Sequence, residues 1–269
     1  FDSLGGECVF SSEIDTHARE TYRSNFNEVP YGDIRTIAVE DIPAHDLLVG
    51  GFPCQPFSIA GVSKLSSMGR GHGFLEETKG TLFFEICRIL EHHKPKVILL
   101  ENVKGLTWHD EGRTFAKITT TLESLGYTLS HKVINSKNFV PQRRERIFIV
   151  GFNDGTKFEF PELPDSLPVL KDILEESVDP KYTINDHLWA YHQERKRKQK
   201  EKGNGFGFRM FNEDQSSGTL SARYYKDGAD ILIEQIGQNP RKLTPRECAR
   251  LMGFPDDFKL NKSEVQSYK

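Results

Sequence analysis

Residues 80–102 read GTLFFEICRILEHHKPKVILLEN, and the change of period inside this stretch decides the fold class. In its first half Leu82, Phe83, Ile86, Ile89 and Leu90 recur at helical spacing and share one face. In its second half an unbroken apolar run from Val97 to Leu100 marks a strand buried on both faces. The same alternation returns on either side. ECVFSSE (7–13) reads as a short strand ending in an acid, followed by helical THARETYRSNF (16–26). HDLLVGGF (45–52) reads as a buried strand, TFAKITTTLESLGY (114–127) as an amphipathic helix ended by Gly126, and RIFIVGF (146–152) as a strand. Strands alternating with helices predict an α/β fold, a parallel sheet covered by helices on both faces.

The pattern breaks after residue 152. Residues 153–180 are rich in proline and acids, and 185–202 carry a basic run of helical composition, Arg195, Lys196, Arg197, Lys198, Lys200 and Lys202. GNGFGFRMF (203–211) is followed by SSGTLSARYYKDGADILI (216–233), which alternates and turns as β-structure does, and TPRECARLMGF (244–254) is helical again. The expected organisation is a first domain at 1–164, a smaller and mostly β domain at 165–240, and a return to the first at 241–269. No internal repeat or low-complexity tract interrupts it.

The 269 residues are 36% hydrophobic, with 19 Phe, enough for a real core. No stretch approaches the 18 or so apolar residues of a spanning helix, and FDSLGGECVF lacks the charged start and apolar run of a secretory leader. Cys8, Cys54, Cys87 and Cys248 form no C-x-x-C pair, which argues against a zinc site or disulfide framework and suits a reducing cytosol. Net charge is −3, yet residues 1–50 balance at −7 and residues 51–150 at +5, so the chain can present a basic face to phosphate.

Three groups of residues can carry chemistry. Cys54 lies in GGFPCQPFS, where a strand delivers the thiol to its carboxyl end and Pro53 and Pro56 stiffen the turn. A lone cysteine is otherwise an inert apolar side chain. Glu101 closes the next buried strand; an acid after four apolar residues is poorly solvated, which suits proton transfer near neutral pH, or else it caps the following helix. Arg144 and Arg146, in PQRRERIF, alternate into a strand and so share one face, fit for a phosphate or a base carbonyl.

Taken in order, GFPCQPFS, GTLFFEI, ENVKGL, PQRRERIF and RKLTPRECARLMGFP resemble the DNA (cytosine-5)-methyltransferase family, in its bacterial restriction–modification or orphan form. The resemblance covers nearly the whole chain and is weakest at 160–218. It implies a Rossmann-like S-adenosylmethionine-dependent methyltransferase sheet with a smaller target-recognition domain. It makes Cys54 the nucleophile that attacks C6 of a cytosine. Glu101 becomes the group at N3 and the exocyclic amine, with Arg144 and Arg146 holding the base carbonyl. S-Adenosyl-L-methionine would be the methyl donor, held by Glu13 on its ribose hydroxyls, Asp33 on the adenine amine, and Ile14, Pro53 and Leu82 around it. Relatives often carry an aromatic where Ile14 stands. Gln55, Ser58, Thr219 and Arg223 would contact DNA, and the serine- and glycine-rich stretch 55–79 suits a mobile loop closing over it. The cytosine must be flipped out of the duplex, because a stacked base cannot offer C6 to a thiol. The basic run would grip phosphate, or else be a solvated helix face.

The partner implied is duplex DNA, with no membrane and no metal, for a monomer acting in the cytoplasm and on the nucleoid. The family's opening strand and glycine-rich loop are expected ahead of Phe1, and its Asn-containing motif beyond Lys269. The alternatives are an RNA methyltransferase on the same scaffold and a catalytically dead DNA-binding relative. A dehydrogenase is disfavoured by the absence of G-x-G-x-x-G.

Overall fold

A four-stranded sheet runs in the order β1 (Leu47–Gly51), β2 (Val97–Val103), β4 (Glu145–Phe152), β3 (Thr128–Asn135). It belongs to a computed structural model that describes residues 4–53, 82–205 and 207–269. These residues divide into two units. The first comprises Phe1–Arg19, Val29–Ile134 and Glu145–Pro161; the second comprises Glu20–Glu28, Asn135–Arg144 and Glu162–Lys269.

In the first unit, Ile98, Leu100, Ile147 and Ile149 present one face of β2 and β4 to the core and are fully buried. Against them pack Phe83, Ile86, Cys87 and Leu90 of α2 (Leu82–His93) and Ile118 and Leu122 of α3 (Arg113–Ser124). Gly126, at φ +96°, ends α3 in the left-handed region that glycine tolerates. Gly151 answers a different need. A Cβ there would fall 2.8 Å from both Ile98 and Leu129, so the strands close up only over a bare backbone.

Two expectations are corrected. The sheet is mixed, because β1 and β2 are parallel but β4 runs antiparallel to β2. The cause is the link 136–144 between β3 and its neighbour β4, which holds only the 3-10 turn Ser136–Asn138 and is too short for the crossover that parallel neighbours need. Residues 7–13 form no strand. They make one isolated bridge, Ser12 to Tyr31, with Glu13 N donating to Tyr31 O (2.9 Å) and Tyr31 N to Ser11 O (2.8 Å). Helix α1 follows at Thr16–Phe26, capped by Asp15, whose carboxylate accepts from His17 N and Ala18 N.

The second unit has its own core of Leu170, Tyr182, Tyr224, Ile231, Leu243, Cys248, Leu251 and Tyr268. The segment 165–240 was expected to be mostly β. Among its described residues the largest element is instead helix α4 (Asp186–Glu201), started by the Asn185 cap, while β5 (Met210–Phe211) and β6 (Leu232–Ile233) are two residues each. β6 also pairs antiparallel with β7 (Arg241–Lys242), and α5 (Pro245–Leu251) begins with a Thr244–Glu247 capping box.

Candidate active site at the sheet edge

β1 ends at Gly51 and hands the chain through buried Phe52 to exposed Pro53. Cys54, Gln55, Ser58 and the expected loop at 55–79 lie outside the described residues. The approach to Cys54 is nevertheless fixed. Phe52 packs on Phe83, ring centroids 5.3 Å apart, and its carbonyl accepts a 2.7 Å hydrogen bond from Asn102 Nδ2. Asn102 is 3% exposed, and its Oδ1 accepts from Val103 N at 2.8 Å. One buried amide thus ties the end of β1 to the end of β2, two residues before Cys54. The sequence reading passed over Asn102, although an amide following an apolar run is buried only if its polar atoms are satisfied.

Glu101 stands beside it on the opposite face. Its Oε1 pairs with Arg146 Nε at 2.8 Å, the two side chains 39% and 18% exposed. The geometry follows from register. Glu101 faces Phe148 and Val103 faces Arg146 across β2 and β4, which sets Glu101 and Arg146 on one face as diagonal neighbours. On its other side Glu101 is level with Gly51, and a Cβ on Gly51 would sit 3.5 Å from Oε2. The poorly solvated acid expected from the apolar run is therefore an ion-paired carboxylate, since strand pairing brings it a guanidinium. Lys104 and Glu145 add a second pair (2.9 Å) at the same ends of β2 and β4.

Arg144 does not share that strand. β4 begins at Glu145, and Arg144 belongs to a loop of the second unit, where its carbonyl accepts from Ser136 N (3.0 Å). Gln142, fully buried, fastens this loop: Nε2 donates to Leu251 O (2.9 Å) and Oε1 accepts from Leu220 N (2.9 Å). Thr219 Oγ1 donates to Arg143 O (2.8 Å), and Arg143 N to Ser217 O (3.0 Å). The loop thereby brings Thr219 alongside residues 143–144. Gln142 is a second residue the sequence reading missed, inside a motif it had singled out.

The residues expected to hold a cofactor fall in two places. The Ser12–Tyr31 bridge sets Glu13 near Asp33, beside a stacked Phe10–Tyr31 ring pair (5.0 Å) and Ile14, whose side chain is largely exposed. Glu13 Oε1 accepts from Asp15 N at 2.8 Å. The Arg35 guanidinium and main-chain N–H hold the Asp33 carboxyl below its usual range. Leu82 opens α2 and packs against the first core, so its side chain serves the fold too. Arg223 is exposed at the start of the single turn 224–227. The basic run is partly compensated: Arg197 pairs with Glu194 (2.7 Å) and Glu201 (2.5 Å), Lys198 with Glu194 (3.3 Å), and Lys196 Nζ sits 4.2 Å from the Phe208 ring centre. Among the described residues no group of three metal-binding side chains occurs, and no helix is long and apolar enough to cross a membrane.

The family model described as C-5 cytosine-specific DNA methylase matches residues 1–269. The whole chain is 50% identical to the type II methyltransferase M.DsaV of Dactylococcopsis salina, 76% of which it covers. Over 97% of its length it is 52% identical to the type II methyltransferase M.SsoII of Shigella sonnei, 68% of which it covers. Among solved structures, the Dnmt2 methyltransferase of S. pombe superposes with a TM-score of 0.73 at 21% identity, over 97% of this chain and 84% of that one, a likeness of fold.

Proposed function

The chain belongs to the C-5 cytosine-specific DNA methylase family, and from that premise we propose that it methylates C5 of a cytosine in a specific duplex sequence, with Cys54 attacking C6 of the flipped-out base. The observation that carries this reading is the Glu101–Arg146 pair, at the edge of the sheet where Asn102 anchors the approach to Cys54.

The chemistry asks for these groups. The Cys54 thiolate forms a bond to C6, and the electrons of the C5–C6 double bond move toward C5 and the ring nitrogen. Glu101 relays to N3 the proton that this density calls for, and Arg146, paired with it in the resting chain, holds its carboxyl in place. S-Adenosylmethionine, when bound, supplies the methyl group that C5 takes. Water then takes the C5 proton as base, the double bond re-forms as the thiolate leaves C6, and the proton on N3 returns through Glu101.

The residues fit that donor. Glu13 and Asp33 are two carboxylates that follow the partners of one bridge, suited to hydroxyl and amine donors, and exposed Ile14 offers an apolar surface to a flat ring. Pro53 and Leu82 complete the set that would hold it. Arg144 would join Arg146 on the base carbonyl, while Gln55, Ser58, Thr219 and Arg223 would contact DNA. Target recognition is assigned to residues 165–240, between a catalytic part at 1–164 and its return at 241–269. Relatives described as type II methyltransferases support a role within restriction–modification, with duplex DNA rather than RNA as substrate.

The test is a duplex carrying 5-fluorocytosine at the methylated position. Fluorine cannot leave as a proton does, so the reading expects a denaturant-stable protein–DNA adduct with the methyl donor present and none with Cys54→Ser. A wild-type chain that methylates cytosine yet forms no adduct would overturn the covalent scheme.

A further inference from the structure

Two exposed arginines of the second unit meet at one cavity. Arg197, Arg241 and Arg250 are each ion-paired, to Glu194 and Glu201, to Glu247 and to Asp256 respectively. Arg143 and Arg209 are exposed and enter no ion pair among the described residues. Both line one cavity of about 480 Å³, together with Phe211, Gly218, Thr219 and Asp230.

Their backbones are fixed. Arg143 is held by the Thr219 hydroxyl on its carbonyl and by its own N–H on Ser217 O. Arg209 N donates to Ala229 O (2.9 Å), and its carbonyl accepts from Leu232 N (2.9 Å). The Arg209 guanidinium lies over Gly218, where a Cβ would fall 2.7 Å from Nη1, so the glycine opens the space it occupies. One acid, Asp230, shares the lining and accepts from the Ser221 hydroxyl, so the two guanidiniums outnumber it by one. Two guanidinium forks against one carboxylate, with an aromatic ring beside them, match an anionic oxygen cluster attached to an apolar group.

We propose that Arg143 and Arg209 hold a phosphodiester of the DNA backbone in this cavity, with Phe211 against the adjoining deoxyribose. The proposal rests on the reading of the chain as a DNA-modifying enzyme and names one contact that enzyme makes. It also adds a phosphate contact apart from the basic run, where Arg195, Arg197 and Lys198 are ion-paired and Lys200 and Lys202 enter no ion pair among the described residues.

The test measures affinity of the full chain for two fluorescein-labelled duplexes across a salt series, one duplex that the wild type methylates and one unrelated. Arg209→Gln is expected to weaken both by a similar factor, roughly three- to ten-fold, and to reduce the slope of log affinity against log salt by about 1. Arg209→Lys should keep the slope. Gly218→Ala, which displaces the guanidinium and leaves the charge unchanged, should weaken binding less than Arg209→Gln. An unchanged slope for Arg209→Gln, with wild-type affinity for both duplexes, overturns the proposal. So does a loss confined to the methylated duplex, which would make Arg209 a reader of bases. A wild type that methylates DNA while Arg209→Gln binds normally sinks this contact alone; a wild type that binds no duplex sinks the reading beneath it.

Discussion

Replacing Asn102 by alanine should damage stability and turnover together. The substitution removes the 2.7 Å bond to Phe52 O and the 2.8 Å bond from Val103 N. A net hydrogen bond contributes about 1 kcal/mol, and a buried carbonyl left without a donor costs about 1–3 kcal/mol more. Phe52 is only 6% exposed, so water cannot simply take the place of the amide. The sum is roughly 3 kcal/mol, which for a chain of this size lowers the Tm by about 6–12 °C. The freed end of β1 is also the segment that leads into Cys54, so kcat should fall while the KM for DNA stays near wild type. Thermal melts and steady-state methyl transfer on one duplex read both effects. Asn102→Asp sharpens the test, because it keeps an acceptor for Val103 N but turns an oxygen toward the Phe52 carbonyl; it should melt no higher than Asn102→Ala. An Asn102→Ala chain that melts with the wild type and turns over at the same rate refutes the claim that this amide holds the strand ends together.

Glu101→Gln cannot supply the proton that helps cytosine accept the thiol, so turnover should drop about 10²–10⁴-fold with the melting temperature nearly unchanged; undiminished turnover at neutral pH would leave Glu101 a structural role only. Arg241→Met strips the counter-charge from Glu247, which is fully buried, and should cost about 3–5 kcal/mol in urea denaturation. Burial pushes the Cys87 thiol up to about 12, so at pH 8 iodoacetamide should modify exposed Cys8 and leave Cys87 intact in the native chain. The same shift fixes a sign. Because the folded value is raised, the stability it contributes is complete below the ordinary value of 9.0 and is lost as pH rises toward about 12; a Cys87→Ala chain should show less alkaline destabilisation.

Much of the first unit was legible because its signals are local. The period change at 80–102 places α2 and β2 within two residues, and the apolar spacing of 114–127 places α3. What failed needed a partner that a single stretch does not show. Residues 7–13 carry a short apolar run, but a strand requires a ladder, and theirs is a single bridge. RIFIVGF reads the same in either direction, and only the short link before it reveals that β4 runs backward. At the site, Glu101 and Arg146 were visible within their motifs, whereas Asn102 and Gln142 lay unnoticed beside them. Their work is done by buried amides on main-chain atoms distant in sequence, which no spacing rule reports. The basic run carried its own warning: Glu194, Arg197 and Glu201 stand at the three- and four-residue spacings that pair along a helix.

The antiparallel entry of β4 sets where the chain can gain or lose residues. A strand running the other way would open at the far edge of the sheet, out of reach of Glu101; running backward, β4 opens beside it. Each residue of β4 is therefore counted from the active edge inward. Adding one residue within the first positions of β4 would turn Arg146 to the opposite face or drive Ile147 and Ile149 out of the core, since strand side chains alternate. Upstream, β3 and its turn are tied to β4 by the sheet and by Ser136 N on Arg144 O, whereas the exposed residues 154–157 follow the end of β4 and can vary without moving that count. Length variants of this chain should therefore separate sharply, with tolerance around residues 154–157 and loss of methyl transfer for any single insertion between residues 145 and 148.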